Sequence, residues 1–295
     1  MAKRSDRALR VADWLGRGRG GLRFVDHLHA RPKAPRRPDL RQWSNSTLSA
    51  VWIGHATVLL RIGDMTILTD PVFSRRVGLG MGFFTAGPQR LIAPAIRLRD
   101  LPPLDAILVS HAHFDHLDRP TLRRLPKSVP VITSHQNHDL IHDLGFERVS
   151  ELQWGESLDL NGVKFTSRQV RHWGARTFLD QHRGFSAFLI ESSKHRVLYG
   201  GDTAYHEHFK DIGKVDLAIF GIGAYDPYIQ AHATPEQVWA MANHVSADHI
   251  LPMHHSTFRL SHEPTTEPME RLLAAAGSQA DRVAVREVGG QWSGN

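Results

Sequence analysis

Residues 106–118 read AILVSHAHFDHLD, an apolar run followed at once by three histidines and two aspartates. The run AILV has the length and composition of a buried strand. Side chains alternate along an extended chain, so His111 and His113 point to the same side and can bind one cation. A turn after them directs Asp115 and His116 toward a neighbouring point, where a second cation can bind. The segment therefore predicts a metal site at the end of a buried strand.

Further ligands are expected at the ends of other predicted strands, because two pairs of side chains do not complete two tetrahedral sites. His172 follows the run VKFTSRQV, and Asp202 follows RVLYGG, where two glycines allow a carboxylate to approach a metal closely. Either His254 or His255, after ILPM, can supply the last imidazole. A set of imidazoles and carboxylates favours zinc, with manganese or iron as alternatives.

The composition is that of a soluble globular protein, with 295 residues, 41% hydrophobic and 22% charged. At about 100–200 residues per domain, this length allows one large domain or two small ones. The chain has no cysteine, which excludes disulfides, thiolate metal sites and cysteine nucleophiles. No apolar run approaches the ~20 residues of a membrane span, and the N-terminus lacks the pattern of a secretory signal. These features predict a cytoplasmic location.

Basic residues are concentrated at the N-terminus, where residues 1–41 hold 12 Lys or Arg against 4 Asp or Glu. Glycines and prolines keep this stretch irregular, so we predict an N-terminal arm over 1–46 and one domain over 47–295. The arm is expected to attract anionic lipid headgroups at the inner face of a membrane, or to be a solvated extension wrapped over the domain. Binding to nucleic acid through the arm is the less favoured interpretation.

Short apolar runs separated by turn residues recur from Leu48 to the C-terminus. The predicted strands are SAVWIG, TVLLRI, MTILTD, DAILVSH, VPVIT, SLDL, VKFTSRQV, GFSAFLIE, HRVLYGG, VDLAIFGIG, HILPM and RVAVREV. Predicted helices are SHQNHDLIHDLG, a helix opened by a capping box at Thr234–Gln237, and EPMERLLAAAG. Residues 71–103 form a long loop, which is typical of a functional segment. The pattern predicts an α/β protein with two packed sheets flanked by helices.

HAHFDH resembles the His-x-His-x-Asp-His signature of the metallo-β-lactamase superfamily. The chain is most similar to the branch of N-acyl-phosphatidylethanolamine phospholipase D. The segments that carry this resemblance are WIGHATVLL, TDPVFSRR, GPQR, LPPLDAILVSHAHFDHLD, HWGART, GDTAY, IGAYDP, AHATPEQV and HHSTF. They occur in the family's order from about residue 51 to residue 258. The resemblance implies an αβ/βα four-layer sandwich with the metals at one edge.

The resemblance also implies a role for each candidate ligand. The first metal would be bound by His111, His113 and His172, and the second by Asp115, His116 and His254, with Asp202 bridging the two. The family's ligand precedes a motif that His255 opens here, which favours His254 over its neighbour. His232, in AHATPEQV, matches a family histidine that lies close to bound substrate. His55, in WIGHAT, is expected under the site, either as a support for a ligand or as a core residue.

The implied activity is that of a dinuclear zinc hydrolase, in which a hydroxide that bridges the metals is the nucleophile. Asp115 would orient this hydroxide, and His232 is the candidate donor to the leaving group. The expected substrate is a phosphodiester, such as the phospholipid N-acyl-phosphatidylethanolamine or a smaller molecule. Predicted substrate contacts are Arg75, Arg76 and Arg90 for an anionic headgroup, and His206 and Phe185 in the pocket.

Two alternatives stay open at this stage. The same fold and metals also serve a lactonase or another carbonyl-ester hydrolase. This alternative gains weight because HRGFSAFLI stands where the family's lipid enzymes carry a tryptophan-rich segment. The alternative of another class is an inactive metal-binding protein that docks on membranes or partners through its arm. A nuclease is disfavoured, since the sequence lacks the extra substrate-binding domain of such enzymes, and the oligomeric state stays open.

Overall fold

The computed structural model describes residues 31–82, 85–177 and 179–294, and within these ranges fifteen strands are present. The strands are β1 Leu48–Gly54, β2 Thr57–Ile62, β3 Met65–Thr69, β4 Leu79–Gly80, β5 Thr85–Ala86, β6 Ala106–Val109, β7 Val131–Ser134, β8 Val149–Leu152, β9 Ser157–Leu160, β10 Val163–Arg168, β11 Ala187–Glu191, β12 Arg196–Tyr199, β13 Leu217–Gly221, β14 His249–Met253 and β15 Gln291–Ser293. The α-helices are α1 Arg119–Leu122, α2 His138–His142, α3 Pro235–His244 and α4 Glu267–Ala276. Short 3₁₀ helices cover Leu40–Asn45, Leu98–Asp100 and Gly277–Arg282.

Two mixed sheets and a small ribbon contain all of these strands. The first sheet has the order β15-β1-β2-β3-β6-β7-β8, the second has the order β14-β13-β12-β11-β10-β9, and β4 pairs with β5. Pairing is parallel from β3 through β6 and β7 to β8, and again from β12 through β13 to β14. Because parallel strands end at the same edge of a sheet, the loops that leave them converge there.

The two sheets pack face to face, and helices cover their outer faces. Inward side chains of the first sheet, such as Trp52 and Leu108, share one core with Phe188 of the second sheet. Their sequence neighbours point outward, because side chains alternate along a strand, and Ile53 packs with Leu122 of α1. The outer face of the second sheet is covered by α3 and α4 in the same way. The predicted four-layer α/β sandwich is therefore confirmed.

Most of the predicted strands and turns are present. Gly63 and Asn161 adopt positive φ in the hairpin turns between β2 and β3 and between β9 and β10. The capping box at the start of α3 forms, since the Thr234 hydroxyl accepts from the Gln237 amide and the Gln237 side chain accepts in return from the Thr234 amide. The strand β8 and the helix α1 are not predicted from the sequence. Among the described residues of the 71–103 loop, regular structure is limited to β4, β5 and a single 3₁₀ turn.

The predicted strand RVAVREV is wrong. Within it, Val283 makes one isolated bridge to Ile250, and the last strand is instead β15, which pairs with β1. Val283, Val285 and Val288 are all buried. Their apolar spacing therefore reflects contact with the core rather than a ladder of hydrogen bonds, and a turn at Gly289 carries the chain to the edge of the first sheet.

The part of the N-terminal arm that the structure describes, residues 31–46, packs on the domain. Trp43 is buried, and its indole N–H donates to the Thr66 hydroxyl at 3.1 Å. The Arg36 amide donates to the Val288 carbonyl at 3.2 Å. Residues 1–30 lie outside the described residues, so membrane contact through the arm stays a prediction. In the part of the chain that the structure describes, every helix is too short or too polar to cross a membrane.

Candidate metal centre

The predicted ligands meet where several strands end at one edge of the sandwich. The short HAHFDH segment follows β6, His172 follows β10, Asp202 follows β12 and His254 follows β14. Gly201, at φ +55, lets the chain approach the start of the HAHFDH segment closely, since a Cβ there would lie 2.9 Å from the Ser110 Cβ. The parallel arrangement of these strands explains why residues far apart in sequence converge.

The first group of ligand atoms lies around the Nδ1 atom of His113. The Nε2 atom of His111 is 2.9 Å from it, and the Nε2 atom of His172 is 3.2 Å from it. The Oδ2 atom of Asp202 lies 3.8 Å from each of these two Nε2 atoms. Three imidazoles and one carboxylate thus face a common point.

The second group lies next to the first and shares the same carboxylate. The Oδ2 atom of Asp115 is 3.8 Å from His116 Nε2 and 3.4 Å from His254 Nε2. The Oδ2 atom of Asp202 is 3.0 Å from His116 Nε2 and 3.2 Å from His254 Nε2. One oxygen of Asp202 therefore contacts both groups, which is the arrangement of a bridging carboxylate.

These distances and donor types fit a pair of zinc ions. Ligands about 2.0–2.1 Å from a tetrahedral zinc lie about 3.3 Å from one another, and the observed separations are distributed around this value. The Nε2 atoms of His116 and His254 and the Oδ1 atom of Asp202 are buried without a hydrogen-bond partner. Such atoms are costly to bury unless another group satisfies them, and a bound cation would do so.

Burial and charge give the two groups different protonation. Burial lowers the pKa of His111 and His172 well below the usual histidine value, and lowers the pKa of His113 to about 4. These imidazoles are therefore neutral and have a lone pair to donate. Burial also acts against protonation of His254, but the carboxylates of Asp202 and Asp115 outweigh it and raise its pKa to about 9. Metal binding at the second group would consequently release a proton.

A buried aspartate at the end of β3 orients His116. The Oδ2 atom of Asp70 lies 2.6 Å from each of three donors: His116 Nδ1, the Ser110 hydroxyl and the Tyr199 hydroxyl. The Ser110 amide donates to Oδ1 at 2.7 Å. The bond to Nδ1 leaves Nε2 of His116 facing the site. No motif in the sequence singles out Asp70, although it follows a buried strand in the same way as the HAHFDH segment.

His55 and His255 take different positions beside the site. The Nε2 atom of His55 lies 2.9 Å from the Oδ2 atom of Asp115, and burial lowers the pKa of His55 to about 3. The neutral ring therefore donates to this carboxylate, which favours the supporting role over a core role. The His255 ring packs at a tilt against Trp52, with 4.5 Å between ring centroids, and its Nδ1 pairs with the Ser256 hydroxyl. His254 is therefore the member of the pair that lies in the cluster.

His232 and Phe185, predicted as donor and substrate contact, both lie next to the ligands. The Nδ1 atom of His232 is 3.9 Å from Asp202 Oδ2, and the Phe185 ring is 6.3 Å from the His172 ring. Trp173 has no role predicted from the sequence, and it is 40% exposed with its ring 4.5 Å from the His172 ring. This indole borders the site. Its position directly after His172 in the sequence is the signal that could have identified it.

The structure corrects the prediction for Arg90. Its side chain is buried, and its guanidinium donates to the carbonyls of Val72 and Ser74 and lies over the Phe258 ring. The Arg90 guanidinium therefore holds parts of the 71–103 loop together and is not exposed to an anionic headgroup. Arg76 donates to the Gly87 carbonyl at 3.0 Å and to the Gln89 side chain at 2.9 Å, also within this loop.

The two remaining predicted contacts are Arg75 and His206. Arg75 is half-buried in the 71–103 loop, where its carbonyl accepts from the Arg90 amide at 2.8 Å. The His206 ring packs on Phe209 at 4.3 Å and accepts from the His208 amide at 3.1 Å. Among the described residues, His206 belongs to none of the groups that could hold a metal.

Comparison with known proteins supports the same fold and the family of metal-dependent hydrolases. The family described as "Beta-lactamase superfamily domain" matches residues 65–255. An uncharacterized protein of Mycobacterium tuberculosis is 34% identical over 88% of this chain and 73% of its own length. The N-acyl-phosphatidylethanolamine-hydrolyzing phospholipase D 1 of Caenorhabditis elegans is 33% identical over 81% of this chain and 72% of its own length. A possible metal-dependent hydrolase from Veillonella parvula has a similar structure, with a TM-score of 0.68 at 20% identity over 84% of this chain and 99% of that one.

Proposed function

The chain belongs to the beta-lactamase superfamily domain family and is a metal-dependent hydrolase, and we propose that it uses two zinc ions to cleave a phosphodiester bond. The observation that carries this proposal is the single Asp202 oxygen within 3.8 Å of imidazoles from both ligand groups. The nematode relative, named for hydrolysing N-acyl-phosphatidylethanolamine, supports a phospholipid substrate and cleavage of phospholipase D type.

In this proposal the first ion is held by three imidazoles and the second by two imidazoles and a carboxylate. The ligands are His111, His113 and His172 for the first ion, Asp115, His116 and His254 for the second, and Asp202 for both. When bound, two such ions lower the pKa of a water molecule toward neutrality and stabilise negative charge on the attacked phosphoryl group. The hydrogen bond from His55 fixes the Asp115 carboxylate, which orients the attacking water.

In this proposal His232 acts on the leaving group. Burial lowers the pKa of His232 to about 4, so its ring is neutral at pH 7. A neutral imidazole donates a hydrogen bond through one N–H and does not carry the additional proton of a general acid. His232 therefore stabilises the leaving oxygen by hydrogen bonding. Trp173 and Phe185 provide apolar surface beside the metals for the part of the substrate next to the phosphoryl group.

The proposal is tested by measuring metal content and substrate class together. Elemental analysis is expected to find two zinc ions per chain, and bis-p-nitrophenyl phosphate is expected to be hydrolysed faster than a panel of acyl lactones. Turnover of N-acyl-phosphatidylethanolamine in mixed micelles then tests the lipid class. Faster hydrolysis of lactones would favour the carbonyl-ester alternative. A protein that stays free of metal when zinc, manganese or iron is offered would contradict the proposal.

Replacing His232 tests its role as a donor. His232→Asn is expected to lower kcat on the phosphodiester by about 10²-fold, the lower end for loss of a catalytic donor, because the asparagine amide does not reach as far as the imidazole Nε2 atom. The zinc content should stay at the wild-type value, because the proposed ligand set does not include this ring. His142→Asn, at an exposed histidine of α2, is the matched control and should be neutral. A loss of zinc in His232→Asn would instead make His232 a ligand.

The N-terminal arm is proposed to bind anionic membrane surfaces. Residues 1–30 contain 7 Lys or Arg against 3 Asp or Glu, whereas residues 31–46 pack on the domain. Deleting 1–30 is therefore expected to abolish sedimentation with phosphatidylglycerol vesicles and leave phosphodiester hydrolysis in solution unchanged. Added salt should weaken the binding of the full chain, since the Debye length falls to about 3 Å at 1 M. Binding that resists both salt and truncation would remove the electrostatic explanation.

A further inference from the structure

The loop over residues 223–233 connects the end of β13 to the start of α3 and passes beside the metal centre. It carries His232, and its Ala231 carbonyl lies 3.0 Å from the Nδ1 atom of His172. A carbonyl only accepts hydrogen bonds, so Nδ1 of His172 carries the proton, and Nε2 presents its lone pair toward His113. The position of this loop thus determines the tautomer of one predicted ligand and the place of the predicted donor.

A buried carboxylate outside the site holds the first half of this loop. Glu263 accepts from the Ala224 amide at 2.6 Å through Oε1 and from the Asp226 amide at 3.2 Å through Oε2. The Ser261 hydroxyl donates to the same Oε1 at 2.6 Å and orients the carboxylate. Ala224 has φ +66, a conformation that costs free energy for a residue with a Cβ and persists only where its surroundings impose it. The two hydrogen bonds that Glu263 accepts from the loop amides are such a constraint.

Short hydrogen bonds connect the clamped half of the loop to the site. The Tyr228 carbonyl accepts from the amides of Ala231 and His232 at 2.8 and 3.0 Å, so both residues move with this turn. Beside the clamp, the Tyr225 hydroxyl donates to Glu267 of α4 at 2.8 Å. The loop is therefore tied to the segment after β14 at one end and turns back toward the metal centre at the other.

We propose that Glu263 is a positioning residue that acts through the 223–233 loop. It holds the Ala231 carbonyl against His172 and keeps His232 beside Asp202, without contacting the reacting atoms. The effect on metal binding depends on the proposed function, in which His172 is a ligand. The effect on the tautomer of His172 does not depend on it, because it arises from the hydrogen bond alone.

The first test is made on metal-free protein labelled with ¹⁵N at histidine. Wild-type His172 is expected to show a single tautomer with the proton on Nδ1, assigned by comparison with His172→Gln. In Glu263→Ala the loop loses both bonds, and the His172 signals should shift toward a mixture of tautomers. Glu263→Gln keeps the shape and one acceptor oxygen, so an intermediate shift is expected. Glu287→Gln removes an equal charge from an exposed ion pair with Arg36 and should leave the signals unchanged.

The second test is a zinc titration against a chromophoric chelator. Glu263→Ala should weaken the site containing His172 on the order of tenfold, the lower range for residues that support metal ligands. Unchanged His172 signals together with zinc affinity within twofold of wild type would overturn the proposal. If Glu263→Ala shifts the His172 tautomer but the wild-type protein binds no zinc, the positioning role of Glu263 stands and the proposed zinc function is wrong. If Glu263→Ala does not fold, the same two readouts on Glu263→Gln decide the matter.

Discussion

Asp202→Asn is expected to reduce phosphodiester hydrolysis by about 10³-fold, because loss of one bound ion removes several kcal/mol of charge stabilisation at about 1.36 kcal/mol per tenfold. Asparagine keeps the shape of the side chain but is neutral and offers a single acceptor oxygen. In the wild-type structure, the Oδ2 atom of Asp202 lies 3.0 Å from His116 Nε2 and 3.2 Å from His254 Nε2. A neutral amide there cannot compensate two divalent ions, so the zinc content should fall from two toward one per chain.

Elemental analysis and steady-state kinetics on the same preparations check this prediction. Asp211→Asn is the matched control, because it removes a carboxylate from an exposed ion pair with Arg168 on the same part of the chain. This control should retain two zinc ions and full activity. Two zinc ions and activity within threefold of wild type in Asp202→Asn would contradict the bridging role.

The second large effect is expected at Asp70, which orients the predicted ligand His116 through the contact with its Nδ1 atom. Asp70→Asn should lower the free energy of unfolding by about 3 kcal/mol, since removing one partner of a buried charged network costs about 3–5 kcal/mol. The asparagine amide would bring an N–H group against groups that donate to the Asp70 carboxylate in the wild-type protein. His116 would lose the bond to its Nδ1 atom, so zinc affinity should fall about 10–100-fold.

Urea unfolding and zinc competition separate the two effects of Asp70→Asn. Tyr199→Phe is the control, because it removes one donor to Asp70 and leaves the pairs with His116 and Ser110 intact. This control should cost about 1 kcal/mol, the net worth of an ordinary hydrogen bond, and keep zinc affinity close to wild type. A stability loss below 1 kcal/mol in Asp70→Asn, with zinc binding unchanged, would show that Asp70 has no supporting role.

Local patterns were sufficient for most of the sheet strands and for the start of α3. The alternation around Trp52 and Leu60 and the capping box at Thr234 are properties of a few neighbouring residues, so the sequence alone reveals them. The same local rule misassigned Val283–Val288 as a strand. Val285 and Val288 are buried in the core between the sheets, and Val283 is buried under the helices that cover the second sheet. Apolar spacing does not distinguish a strand from such a buried irregular segment.

The arginines of the 71–103 loop show a second limit. Arg90 is a cation in a Gly- and Pro-rich loop, and such a residue reads as a contact for an anionic substrate. Only the folded structure shows that carbonyls of the same loop surround its guanidinium and that Phe258 covers it. The partners of a long side chain depend on where distant segments return, which no local pattern contains.

By itself, the sequence determined the kind of chemistry this protein can perform. HAHFDH, placed directly after a buried strand, supplies closely spaced imidazoles and carboxylates, because their spacing along an extended chain is a local property. Tertiary structure alone decided that one oxygen of Asp202 meets both ligand groups, that Asp70 orients His116, and that the 223–233 loop presents Ala231 to His172. These contacts join residues from different strands and loops, and only the packing of the two sheets brings them within hydrogen-bonding distance.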